Sequence, residues 1–123
     1  MILDVDLTSE TPIYQQIRDR VVEGIAAGEL ADGDPLPSTR QLAVDLGINF
    51  HTVNKAYGQL RREGLLLITR KSGAVVQRTP GAPDDWPARL KTLLAEAIAH
   101  GMSERDVLSQ CETTLRTFDE VPA

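Results

Sequence analysis

"LGINFHTVNKAYGQLRREGLL", residues 46–66, decides how the rest of the chain is read. Val53, Ala56, Tyr57 and Leu60 fall three and four residues apart, which puts them on one side of a helix. Asn49 stands ahead of them as an N-cap, and Gly64 marks the stop. With that stripe turned inward, Asn49, His51, Thr52, Asn54 and Lys55 occupy the leading turns, and the basic pair Arg61 and Arg62 closes the last one. A helix that enters the major groove of DNA needs this division. One face must be buried on its own domain while the N-terminal residues offer hydrogen bonds to base edges and phosphates. Asn pairs bidentately with adenine, Thr donates to phosphate or touches a thymine methyl, and Lys supplies charge.

The flanking segments extend the pattern. Ser38 and Gln41 have the spacing of a capping box for a short preceding helix, with Leu42, Ala43 and Leu46 on its buried side and Gly47 as its end. Further upstream, Thr11 reads as an N-cap with Pro12 at the first helical position, and Ile13, Ile17, Val21 and Ile25 recur every four residues, predicting a helix over about 12–27. "ADGDPLP", residues 31–37, is rich in turn formers and reads as a loop. On the other side, "LLLIT" (65–69) and "AVVQR" (74–78) are short β-prone runs around "RKSG", which predicts a two-stranded hairpin. Helix, helix, turn, helix and hairpin is the order of a winged helix-turn-helix, with "RKSG" as the tip of a wing beside the sugar-phosphate backbone.

The charge distribution agrees. The 123 residues carry a net charge of −5, unevenly spread. Residues 1–37 hold two basic and eight acidic side chains, residues 38–80 seven and two, and residues 81–123 four and eight. The opening stretch lies inside the only basic block, to which Arg40, Arg70, Lys71 and Arg78 also belong. Phosphate attraction acts through contacts and over about a Debye length, so a local basic surface on an acidic chain can serve a DNA reader.

"TPGAPDDWP", residues 79–87, is a proline-rich break. Beyond it, Leu90, Leu93, Leu94, Ala97 and Ile98 predict an amphipathic helix closed by Gly101, and Val107, Leu108, Cys111, Leu115 and Phe118 a second one starting at Ser103. Two short helices joined by about two residues cannot hide both apolar stripes alone, so they are expected to dock on a second copy. The fold class expected is mainly α with a small β-hairpin. An N-terminal winged helix-turn-helix spans residues 1–78, a linker 79–87 and an α-hairpin for dimerisation 88–123, with Leu90, Leu94, Ile98, Leu108, Cys111 and Leu115 in the dimer contact.

At this length of matching pattern, "PLPSTRQLAVDLGINFHTVNKAYGQLRREGLL" followed by "ITRKSGAVV" resembles the winged helix-turn-helix of the GntR family of bacterial transcription regulators. The match runs from about "TPIYQQI" to "AVV". The tail "LKTLLAEAIAHGMSERDVLSQ" is similar to the two-helix tail of the small YtrA-type subfamily, whose members are dimers and often accompany ABC-transporter genes. The resemblance implies a homodimeric repressor on an inverted-repeat DNA operator. It also implies DNA contacts from Arg40, Asn49, Phe50, His51, Thr52 and Asn54, with Gly73 as the wing glycine. Lys55, Arg70 and Lys71 join them on charge. Phe50, Lys71 and "AVV" depart from the usual family pattern, so no relative's operator is transferred.

Other functions fit less well. His51 and His100 are the only histidines and neither has an acidic or nucleophilic partner at a telling spacing, so no catalysis is expected. The single Cys111 excludes an intrachain disulfide and a cysteine-based zinc cluster, and no cofactor is expected. Asp84 and Asp85 read as helix caps. "MILDVDLTSE" has neither a basic n-region nor an apolar core, and the longest apolar run is far too short for a bilayer, which points to a cytoplasmic protein without a membrane partner. A small-molecule effector would have to bind between subunits or domains, because about forty residues cannot enclose a pocket of ~300 Å³. The competing class is a winged helix that serves only as a protein-interaction module; it predicts weak DNA affinity without sequence preference.

Overall fold

The computed structural model describes residues 4–70 and 73–119. It contains α1 (Ile13–Ala26), α2 (Thr39–Leu46), α3 (Phe50–Arg62), β1 (Leu66–Thr69), β2 (Gly73–Val76), α4 (Trp86–Ala99) and α5 (Glu104–Thr117). The chain divides into two compact units, Met1–Thr79 and Pro80–Ala123. The first is a winged helix-turn-helix and the second an α-hairpin, so the chain is mainly α with one small antiparallel sheet.

The first unit is built on α3. Val53, Ala56 and Leu60 are completely buried and Tyr57 nearly so, packed with Ile17 and Val21 of α1, Leu42 and Ala43 of α2, and Leu66, Ala74 and Val76 of the hairpin. Fully burying a side chain of this size contributes roughly 1.5–3 kcal/mol, which is why the stripe at 53, 56, 57 and 60 fixes the helix orientation. Gly47 makes the turn between α2 and α3. Its φ of +67° is left-handed, a conformation costly to any residue with a Cβ, and its N–H returns to the carbonyls of Ala43 and Val44. Ser38 caps α2 by accepting from the Gln41 N–H at 3.1 Å, but the reciprocal half of the expected capping box is not made. The Gln41 side chain instead donates to Asp45, one turn on, at 2.7 Å.

The start of α1 and the segment 31–37 also differ from the sequence-based expectation. Thr11 does not cap α1; Pro12 occupies the cap position with extended ψ and no side-chain cap bond. Gln16 does the tying instead. Its buried amide accepts from the Asp6 N–H at 2.7 Å and donates to the carbonyls of Asp6 and Thr11 at 3.0 and 2.9 Å, so the approach to α1 is held by a residue inside the helix. The segment 31–37 is also more than a loop. Gly33 N–H donates to the Val76 carbonyl, Val76 N–H to Asp34 and Leu36 N–H to Ala74, each at 2.8 Å, and Pro35 bridges Val75. The sheet edge of β2 is thereby covered.

β1 and β2 pair in the register Leu66 with Val76 through Thr69 with Gly73. The hairpin is anchored at its base by Gly64. Its carbonyl accepts from the Thr79 hydroxyl, and a Cβ at Gly64 would come within 2.8 Å of that oxygen, so glycine is required there by space as well as by its φ of +79°. Arg18 of α1 clasps Glu63 just beyond α3 through two hydrogen bonds, and this partnership holds the Arg18 guanidinium above its ordinary range. Tyr57 ties the chain before α2 to α3, donating its hydroxyl to the Pro37 carbonyl at 2.7 Å. Burial pushes its pKa up to about 12. The unfolded chain, with a tyrosine near 10, would lose that proton first, so this residue's contribution to stability is complete below about pH 10 and lost as pH rises toward 12. Tyr57→Phe is expected to cost ~1 kcal/mol at neutral pH, and urea titrations should show the wild-type advantage shrinking over that alkaline window.

In the second unit, Ser103 caps α5 by accepting from the Asp106 N–H at 3.1 Å. Asp85 stands at the N-cap of α4 but makes no side-chain cap bond; its carboxylate pairs with Arg89 at 3.1 Å. Neither α4 nor α5 contains a buried residue. Among the described residues no helix is long and apolar enough to cross a membrane.

Candidate nucleic-acid interface

With its back face sunk into the core, α3 exposes His51, Asn54 and Lys55, and its cap Asn49, over its first two turns. The Asn49 side-chain oxygen Oδ1 accepts from the His51 N–H at 2.8 Å, which commits that atom to capping and leaves the side-chain amide nitrogen uncommitted. The Asn54 side chain makes no hydrogen bond among the described residues, so its amide donor and acceptor both face solvent. Thr52 is half-buried. Phe50 is half-buried as well and packs against the core cluster, a role its place in the polar stretch did not disclose.

The helix-turn-helix brings Arg40, near the start of α2, to the start of α3: its guanidinium carbon lies 4.8 Å from the Phe50 ring centroid. Lys55 reaches the other way, with Nζ 4.1 Å from the ring centroid of Tyr14 in the first turn of α1. Arg70 follows β1 and is exposed, and Gly73 opens β2. Lys71 lies outside the described residues. Arg78 is exposed and its N–H is bonded to Asp32 at 2.9 Å. Arg61 and Arg62 sit in the last turn of α3, where cations complement the helix dipole.

This chemistry is a set of neutral amide and hydroxyl groups on one helix start, flanked by guanidinium and ammonium groups from α2, α3 and the hairpin. It suits a polyanion with patterned donors and acceptors. Among the described residues no group of three or more His, Cys, Asp and Glu side chains could hold a metal ion.

The bacterial regulatory proteins of the gntR family match over residues 13–76, from the first residue of α1 to the last of β2. The chain belongs to the GntR family. A GntR-family chain is a DNA-binding transcription regulator rather than an enzyme. It is similar to the HTH-type transcriptional regulator Rv1152 of Mycobacterium tuberculosis, 30% identical over 106 residues that cover 86% of this chain and 88% of that one. Among solved structures it is similar to YtrA from Sulfolobus acidocaldarius, a GntR-family transcription factor, at 43% identity and a TM-score of 0.67 over 80% of this chain and 99% of that one; it is of YtrA type. The AraR DNA-binding domain, solved in complex with operator ORX1, is 28% identical with a TM-score of 0.52, covering 62% of this chain and 94% of that domain.

Proposed function

We propose that this GntR chain is a homodimeric, cytoplasmic repressor that reads an inverted-repeat operator with two copies of α3. The observation that carries the reading is the division of α3 itself. Its apolar face is buried in the first unit, while His51, Asn54 and Lys55 are exposed on its leading turns and Arg40 lies over Phe50, its first residue. The similarity to the operator-bound AraR domain supports DNA as the ligand of this face. In this reading Asn54 and His51 meet base edges, Thr52 and the Asn49 amide meet the backbone, and Arg40, Lys55, Arg70, Lys71 and the wing around Gly73 hold phosphates.

The α4–α5 hairpin joins the subunits. Support comes from its exposed apolar side chains: Leu93, Ile98, Leu108 and Leu115 are all more than half exposed, and nothing in either helix is buried. Leu90, Leu94 and Cys111 are half-buried and would be completed by the partner. Two-fold symmetry then sets the half-site centres about one helical turn apart, ~34–36 Å or a multiple of it. Repression follows from occupying a promoter, and genes for a transporter are a suitable target class for a YtrA-type regulator.

The stoichiometry of the operator complex tests this proposal. Sedimentation should give two chains per inverted repeat, and a duplex with one half-site should bind far more weakly. One chain per repeat would overturn the dimeric reading. Arg70→Ala separates holding from reading: it should weaken all sequences alike and reduce the slope of log K against log salt by about 0.9, one phosphate contact.

A further inference from the structure

Two cations at the leading turns of α3 each rest on an aromatic ring, Arg40 on Phe50 and Lys55 on Tyr14. The Arg40 contact is the more informative because the helix works against it. Arg40 is the second residue of α2, where the unsatisfied N–H groups and the dipole repel a positive side chain. No carboxylate among the described residues pairs with it; the one acid of α2, Asp45, accepts from Gln41 instead. The group that holds the guanidinium is the Phe50 ring at 4.8 Å. That ring is itself held. Phe50 is the first residue of α3, packs on the core cluster, and has the His51 ring 5.4 Å away at a tilt of 58°.

We infer that Phe50 is a positioning residue for DNA binding: it seats the Arg40 guanidinium before DNA arrives and does not itself read a base. A guanidinium lying over a ring keeps its N–H donors along the edge of its plane, free for the oxygens of a phosphate. An arginine ordered in the free protein loses less side-chain freedom when it binds. The inference rests on the proposed role of Arg40 at phosphate, and the test separates the two.

The probe is a mixed-sequence DNA duplex at low salt, since a phosphate contact does not require the operator. Full-length wild type, Phe50→Leu, Phe50→Tyr, Arg40→Ala and the Phe50→Leu/Arg40→Ala double variant are titrated against it. The δ-methylene proton shifts of Arg40 are recorded without DNA. In wild type and Phe50→Tyr those protons should be displaced by the ring current, and in Phe50→Leu the displacement should vanish. Phe50→Leu should weaken binding about two- to fivefold, Phe50→Tyr should restore it, and Phe50→Leu should have no further effect once Arg40 is alanine. Equal losses from Phe50→Leu in both backgrounds would mean that Phe50 touches DNA directly, which overturns the inference. So would undisplaced wild-type Arg40 protons, a result that needs no variant to fold. If the displacement is present but Arg40→Ala binds like wild type, the seat exists and the phosphate role of Arg40 has failed, taking the inference with it.

Discussion

Replacing Leu93 and Leu115 together by aspartate should turn the protein into a monomer whose operator affinity is weaker by ~10²-fold or more. Both side chains are more than 60% exposed in the single chain, at 62% and 64%. Charging them therefore costs the isolated α-hairpin little, while two buried, unpaired carboxylates cannot be accommodated in a subunit contact. The loss arises because one winged unit bound to a half-site no longer holds the other at high local concentration. Leu94 is the less discriminating choice, being half-buried, since an aspartate there also strains the hairpin itself. Sedimentation equilibrium gives the mass and anisotropy the affinity. A dimer that persists would move the interface away from α4 and α5, and a monomer with undiminished affinity would remove the need for bivalent binding.

Asn54→Ala should cost roughly 1–3 kcal/mol at the operator and almost nothing on scrambled DNA. Asn54 is exposed on α3, its amide is unused within the described residues, and alanine is a better helix former, so folding is not the route by which affinity falls. An asparagine amide can make a bidentate contact to one adenine, and the variant should lose preference at that base pair alone. Retention of the full preference would assign the reading to His51 or Asn49.

The frame of the first unit was legible because its signals are local. Val53, Ala56, Tyr57 and Leu60 fix the buried face of α3, Ser38 and Asn49 cap the helices they precede, and Gly47 supplies the left-handed turn between them. What could not be read depends on groups far apart in sequence. Arg18 and Glu63 are 45 residues apart, and Pro35 pairs with Val75 across the whole helix-turn-helix. Neither contact leaves a mark in spacing. Thr11 does not cap α1 because Pro12 occupies the cap position, and the Thr11 carbonyl accepts instead from the Gln16 side-chain amide within the helix. The family resemblance implies a DNA contact for Phe50; only the packing shows its ring against the core and under Arg40.

The central claim, that α3 reads a DNA sequence as one half of a symmetric pair, is tested most directly by selecting bound duplexes from a random pool. The winner is then titrated against scrambled DNA at physiological salt. The account predicts a palindromic winner with half-sites one helical turn or a multiple of it apart, bound ~10³-fold or more above scrambled DNA. An intact protein that enriches no sequence would contradict it, and would leave the basic face of the winged unit as a surface for an acidic protein partner.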